Sequence, residues 1–253
     1  RKFQPDLRES DIYLPHLRRI PLSGWWKLKR MNSGRKYLPL NPAKELRFTE
    51  REFADAGWED DLVPNNLNSP FLKTRPTASE RSYGGVTWFR RSFQGPVPAA
   101  GERIILHFDE IFGDAELFLN GRRIGRVPDS GMSYHNSTEP PVEFDVTERI
   151  LPGKSNTLAI RLYHSGEPVR WGEGIPHGIT GRVCLDLRPP VWSRFILAAT
   201  EANLKDVVIR CIPSASDPGA TAGWTGEIFE WKSGRQVASF PFRNAEENGK
   251  TLL

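Results

Sequence analysis

The segment Leu117-Phe118-Leu119-Asn120-Gly121-Arg122-Arg123-Ile124-Gly125 constrains the fold most. An Asn-Gly pair between two apolar runs marks a two-residue hairpin, because both turn positions need positive φ. Strand signals recur on either side of it. Thr87 to Phe93, Arg103 to Phe108, Ala115 to Leu119, Arg122 to Gly125, Val142 to Val146, Thr157 to Tyr163 and Arg182 to Leu187 are short runs rich in apolar residues, and turn residues such as Gly95-Pro96 and Pro152-Gly153 separate them. Short strands at this spacing argue for a sandwich or jelly roll. With 22 Gly and 21 Pro among 253 residues, the chain suits many turns better than long helices.

Composition excludes several classes. The 35 basic and 31 acidic residues leave a small, dispersed excess of +4, and no long Lys/Arg block occurs, so nucleic acid is not an expected partner. No apolar run is long enough to form a membrane-spanning helix. Residues 1–19 read as a mixed-charge arm without the apolar centre of a signal peptide. The sequon Asn136-Ser137-Thr138 favours a secreted or periplasmic setting over a cytoplasmic one, although a single sequon arises easily by chance and leaves all three open. Cys184 and Cys211 fall in separate segments and are expected to be buried free thiols, with a disulfide between them as the alternative. The five histidines show no metal-ligand spacing, and no nucleophile elbow or phosphate-binding loop is present, so no cofactor is expected.

The motifs come in a telling order. Gly24-Trp25-Trp26 is followed by Asp55-Ala56-Gly57-Trp58 with Val63-Pro64, then Gly84-Gly85-Val86-Thr87-Trp88-Phe89-Arg90-Arg91. Leu119-Asn120-Gly121, Phe144-Asp145-Val146-Thr147, Asn156-Thr157-Leu158 and Gly178-Ile179-Thr180-Gly181-Arg182-Val183 complete the series. This series resembles the N-terminal sugar-binding domain of glycoside hydrolase family 2, which includes β-galactosidases, β-glucuronidases and β-mannosidases. The last motif departs from the family pattern: Thr180 stands where an aromatic is common, and Gly181 precedes the arginine. The resemblance implies an all-β chain: an arm over 1–19, a galactose-binding-like jelly roll over 20–190, and an incomplete immunoglobulin-like sandwich over 191–253. Residues 41–82 read as largely irregular, and four strands are expected after Pro190.

Retaining glycoside hydrolysis needs two carboxylates about 5–5.5 Å apart. In the resembling family both lie on a downstream (β/α)8 barrel, with the acid preceded by asparagine. No Asn-Glu dipeptide occurs here, and a barrel takes about 250 residues of its own. The expectation is therefore a non-catalytic fragment of a glycoside hydrolase. Its expected partners are a carbohydrate, the barrel of the same parent chain and a second copy in an oligomer. A stand-alone carbohydrate-binding or adhesion module is the alternative.

Candidate binding residues concentrate in His164 to His177, which joins two strands. Trp171 suits stacking on the apolar face of a sugar; Arg170, Glu173 and His177 suit hydrogen bonds to its hydroxyls. The resemblance gives the equivalent loop an acidic residue reaching towards the barrel, and Glu173 is its nearest match. The plainer reading has Trp171 capping the sandwich and Glu173 solvated. Tyr83, just before the strand at 86, either stacks on a sugar or covers the sheet edge. Asp109-Glu110 and Asp114 are either a structural calcium site or a solvated turn. Trp25, Trp26, Trp58, Trp88 and Phe89 belong to the fold signature and are expected in the core.

Overall fold

The structure is a computed structural model, and it describes residues 18–31, 38–64, 85–128, 141–164, 178–200, 207–213, 223–230, 233–242, 245–247 and 250–252. The chain divides into two compact units, Arg1–Leu187 and Arg188–Leu253. Both are built from antiparallel strands, so the all-β expectation holds.

Among its described residues the first unit contains ten strands: β1 (Arg18–Pro21), β2 (Gly24–Met31), β3 (Glu59–Val63), β4 (Gly85–Gln94), β5 (Arg103–Phe108), β6 (Asp114–Leu119), β7 (Arg122–Val127), β8 (Val142–Asp145), β9 (Ser155–His164) and β10 (Val183–Arg188), the last ending one residue into the second unit. They form a four-stranded sheet in the order β1-β10-β5-β8 and a six-stranded sheet in the order β3-β2-β4-β9-β6-β7. Alternation along each strand sends one set of side chains inward. Trp26, Leu28, Phe89, Leu117, Ile160 and Leu162 from the larger sheet meet Ile104, Leu106, Phe108, Val183, Leu185 and Leu187 from the smaller one in a single apolar core. The Asn120-Gly121 hairpin forms as the sequence predicts, with φ of 51° and 82°. Asn120 also ties the turn inward: its Oδ1 accepts from the Thr157 amide at 2.9 Å, and its Nδ2 donates to Asn156 at 2.7 Å.

The other face of the larger sheet carries a second layer that periodicity alone does not suggest. Residues 41–82 read as irregular, yet they contain helix α1 (Pro42–Glu45), a 3-10 turn (Leu46–Thr49) and strand β3. The 3-10 turn brings Phe48 against Trp58 and Trp88, with ring centroids 5.2 and 5.6 Å apart in edge-to-face geometry. Val86, Phe118 and Ala159 complete this cluster.

Two buried arginines hold the layer down. Arg90 donates to the Asp55 carboxylate at 2.8 Å and to the carbonyls of Phe48, Glu50 and Phe53. Arg161 donates to Glu45 at 3.0 Å and to the Leu38 carbonyl. Arg90 and Arg161 are each 2% exposed. Charges so deeply buried are tolerated only when paired and hydrogen-bonded. The Trp88-Phe89-Arg90 motif thus faces both ways: Phe89 fills the inner core while Trp88 and Arg90 clamp the outer segment.

Trp25 corrects the sequence reading. It is 66% exposed, whereas Trp26, Trp58, Trp88 and Phe89 are buried. Trp25 and Trp26 point to opposite faces of β2, and Trp25 pairs across the sheet with Leu62, itself 49% exposed.

The second unit contains three hairpins among its described residues: β11 (Ser193–Thr200) with β12 (Val207–Pro213), β13 (Thr225–Phe229) with β14 (Gln236–Pro241), and β15 (Ala245–Glu247) with β16 (Lys250–Leu252). That makes six strands rather than the four expected. The last pair is three residues per strand, too short for an alternation pattern to register. No helix of the described residues is long and apolar enough to cross a membrane.

Candidate functional site

Trp171, Glu173, His177, Arg170 and Tyr83 lie outside the described residues, as do the sequon and most of the arm over 1–19. The structure does show where the chain enters and leaves the segments that carry them. β4 and β9 pair over ten rungs, and the terminal rung is Gly85 opposite His164. The first residue of β4 and the last of β9 are therefore neighbours at one end of the sheet. The return point is adjacent as well. Gly178 forms a bridge with Phe112, with hydrogen bonds of 2.9 and 3.3 Å. Asp114, two residues further, sits opposite Tyr163.

A compact network fixes this return. Asp109 accepts from Arg182 Nε at 2.6 Å, and Glu110 accepts from the Thr180 hydroxyl at 2.6 Å. Backbone hydrogen bonds join Asp109 to Arg182 at 3.0 Å and Gly181 to Glu110 at 3.1 Å. A Cβ on Gly181 would lie 2.4 Å from the Glu110 amide nitrogen, so only glycine allows the two segments to approach this closely. Thr180 and Gly181, the departures from the family pattern, are the residues that make this contact. Asp114 pairs instead with Arg126, at 2.7 Å from its Nε. Asp109, Glu110 and Asp114 are thus engaged by arginine, histidine and threonine side chains. They form neither a plain solvated turn nor a converging set of calcium ligands. Burial pushes the Asp109 carboxyl up, but Arg182 and His107 hold it below the usual carboxylate range.

The outward face of the smaller sheet holds another polar group. Arg19 on β1 opposes Asp186 on β10, donating at 2.7 and 3.1 Å. His107 on β5 opposes Glu143 on β8. Its Nδ1 lies 2.9 Å from Glu143 and its Nε2 lies 2.9 Å from Asp109. Asp186 is fully buried and His107 nearly so. Burial works against protonation of His107, but the carboxylates of Glu143, Asp109 and Asp186 outweigh it and raise its pKa. The free thiol of Cys184 is buried beside Asp186, and burial with that negative charge pushes it up to about 12. The thiol is therefore protonated and inert at neutral pH. The side chain of Cys211 lies outside the described residues. Sequence spacing could not reveal this group, because four separate strands supply it; only the cross-strand register brings it together.

Comparison with known proteins follows the fold. A family model described as the β-galactosidase second all-beta domain matches residues 49–168. The β-galactosidase BoGH2A of Bacteroides ovatus is 26% identical over 220 residues, covering 82% of this chain and 24% of that protein. A β-galactosidase of Vibrio vulnificus is 27% identical over 63% of this chain and 14% of its own. Among solved structures, the apo β-glucuronidase of Ruminococcus gnavus superposes with a TM-score of 0.61 at 16% identity, over 88% of this chain and 37% of that one. A β-glucuronidase of an uncultured Clostridium sp. gives 0.59 at 20% identity, over 94% and 39%.

These matches, with the two-sheet fold, make the chain similar to the β-sandwich regions of glycoside hydrolase family 2 enzymes. The proteins it is similar to bear the names β-galactosidase and β-glucuronidase, and it spans about a quarter of the length of BoGH2A.

Proposed function

We propose that this chain is the non-catalytic β-domain portion of a family 2 glycoside hydrolase that cleaves β-linked galactosides or glucuronides. In this reading it shapes the substrate entrance of a (β/α)8 barrel carried elsewhere in the longer protein. The supporting observation is partial coverage: most of this chain matches about a quarter of an enzyme named for the reaction. The shared exit of the segments at Gly85 and His164 supports a recognition role, because it brings the connections bearing Tyr83 and Trp171 out of one end of the sheet.

The bond-cleaving carboxylates belong to the barrel in this reading. The β unit contributes rigid anchors from which binding loops project, an arrangement in which loop side chains set specificity while the scaffold sets their spacing. In this reading Trp171 and Tyr83 offer aromatic faces to a sugar, and Arg170, Glu173 and His177 offer hydrogen bonds to its hydroxyls.

Assay of the purified chain and of its full-length parent on aryl β-galactoside and aryl β-glucuronide tests the reading. Turnover by the parent and none by residues 1–253 is expected. In the parent, Trp171→Ala and Glu173→Ala should raise KM or lower kcat. Unchanged constants would reduce the β unit to a structural support. Sugar affinity of the isolated chain in calorimetry would favour a stand-alone binding module instead.

A further inference from the structure

We propose that His107, Glu143 and Asp186 form a binding site for a divalent transition ion of the zinc class. The three residues come from the adjacent strands β5, β8 and β10, and one ligand atom from each lies within 4.8 Å of the others. One imidazole and two carboxylates is a donor set that suits zinc, whose bonds to such atoms are about 2.0–2.2 Å long. Closing the set around an ion needs side-chain adjustments of about an ångström, within the reach of Glu143, which is exposed on the edge strand β8.

Three features distinguish this group from an ordinary surface cluster. First, it is mixed, with a nitrogen donor at its centre. Second, its base is buried, since Asp186 is fully enclosed and His107 nearly so. Third, the outer partners are already in place. An ion on His107 Nδ1, beside Glu143, leaves Nε2–H donating to Asp109 at 2.9 Å. A carboxylate behind a ligating imidazole fixes its tautomer and orientation. Asp109 is itself held by Arg182. Arg19 donates to both Asp186 oxygens and the Cys184 thiol lies 3.5 Å from Oδ1, so the carboxylate is held in position at the base of the group.

Charge is consistent with a cation. An ion at Nδ1 displaces the proton shared with Glu143, after which Asp109, Glu143 and Asp186 carry three negative charges against the two positive ones on Arg19 and Arg182. The ion would clip together three strands of the smaller sheet, so the role is structural. No substrate reaction is assigned to it.

The test is calorimetric titration of the untagged chain with Zn2+ alone, paired with the visible absorption of Co2+. A saturable single-site isotherm, a Co2+ band and a higher melting temperature with Zn2+ are expected. Glu143→Gln, on an exposed edge position, should abolish all three while leaving the metal-free melting temperature close to that of the parent chain. His107→Ala should do the same to binding. Asp109→Asn should weaken binding by about 10–100-fold. Absence of binding, or binding unchanged in Glu143→Gln, would overturn the proposal and leave the group as a row of alternating charges.

Discussion

The indole nitrogen of Trp88 donates to Glu45 at 2.9 Å, across 43 residues of sequence. Through this bond a strand of the larger sheet holds the short helix α1, and the same Glu45 oxygen accepts from Arg161 at 3.0 Å. The carboxylate therefore neutralises a buried guanidinium and satisfies a buried indole at once.

Replacing Glu45 with glutamine should be severe. Arg161 would remain buried with its charge uncompensated, and breaking such a pair costs about 3–5 kcal/mol. Denaturant unfolding of Glu45→Gln against the parent chain measures this.

The same pair gives a pH signature. Burial pushes Glu45 up, but hydrogen bonds from the Asn41 amide, Trp88 and Arg161, with the charge of Arg161, hold it below its ordinary value. A depressed folded-state pKa contributes stability above the unfolded value, about 4.3 for glutamate, and loses it as pH falls through the folded one. The stability gap between the parent chain and Glu45→Gln should be constant near neutrality and shrink below about pH 4.

The two neighbouring tryptophans should behave oppositely. Trp26 is buried and its indole donates to the Leu22 carbonyl at 2.9 Å, so Trp26→Ala should cost about 3–5 kcal/mol. Trp25→Ala, on the exposed face, should stay within about 0.5 kcal/mol. Thermal melts of both variants settle the point, and equal losses would place Trp25 in a core.

Gly181 should tolerate no side chain. The added methyl of Gly181→Ala meets the Asp109–Glu110 backbone, and overpacking of this kind costs roughly 1–3 kcal/mol. Gly57→Ala, where nothing lies within 4 Å, is the matched control and should be close to neutral.

Cys184 should resist alkylation in the folded protein. Its thiol is buried and titrates near 12, so iodoacetamide at pH 8 should leave it unmodified until denaturant is added. Peptide mass mapping before and after unfolding reads this out.

Much of the sandwich was legible as alternation and turns. Arg103–Phe108 was expected at its observed limits, and the Asn120-Gly121 turn fell where its backbone demands allowed. Strands β2 and β3 were not recognised, because β2 carries Trp-Trp and lysines in a pattern that is apolar on one face only briefly, and β3 opens with three consecutive acids. The buried role of Glu45, Arg90 and Arg161 was invisible for a different reason. A polar residue on a strand's outer face reads as solvated unless the padding above it is known. The candidate binding residues were chosen by chemical type; the pairing of Gly85 with His164 sets the ends of β4 and β9 side by side, which no local pattern contains.

The clamp formed by Arg90 and Arg161 has a consequence for how ligands can be met. With Phe48, Glu45 and Trp58 upholstering strands β4 and β9, that broad flank is not free to cradle a polysaccharide along its length. In the proposed reading, ligand contact therefore falls to the rim, where lengthening or trading a connection leaves the load of folding untouched.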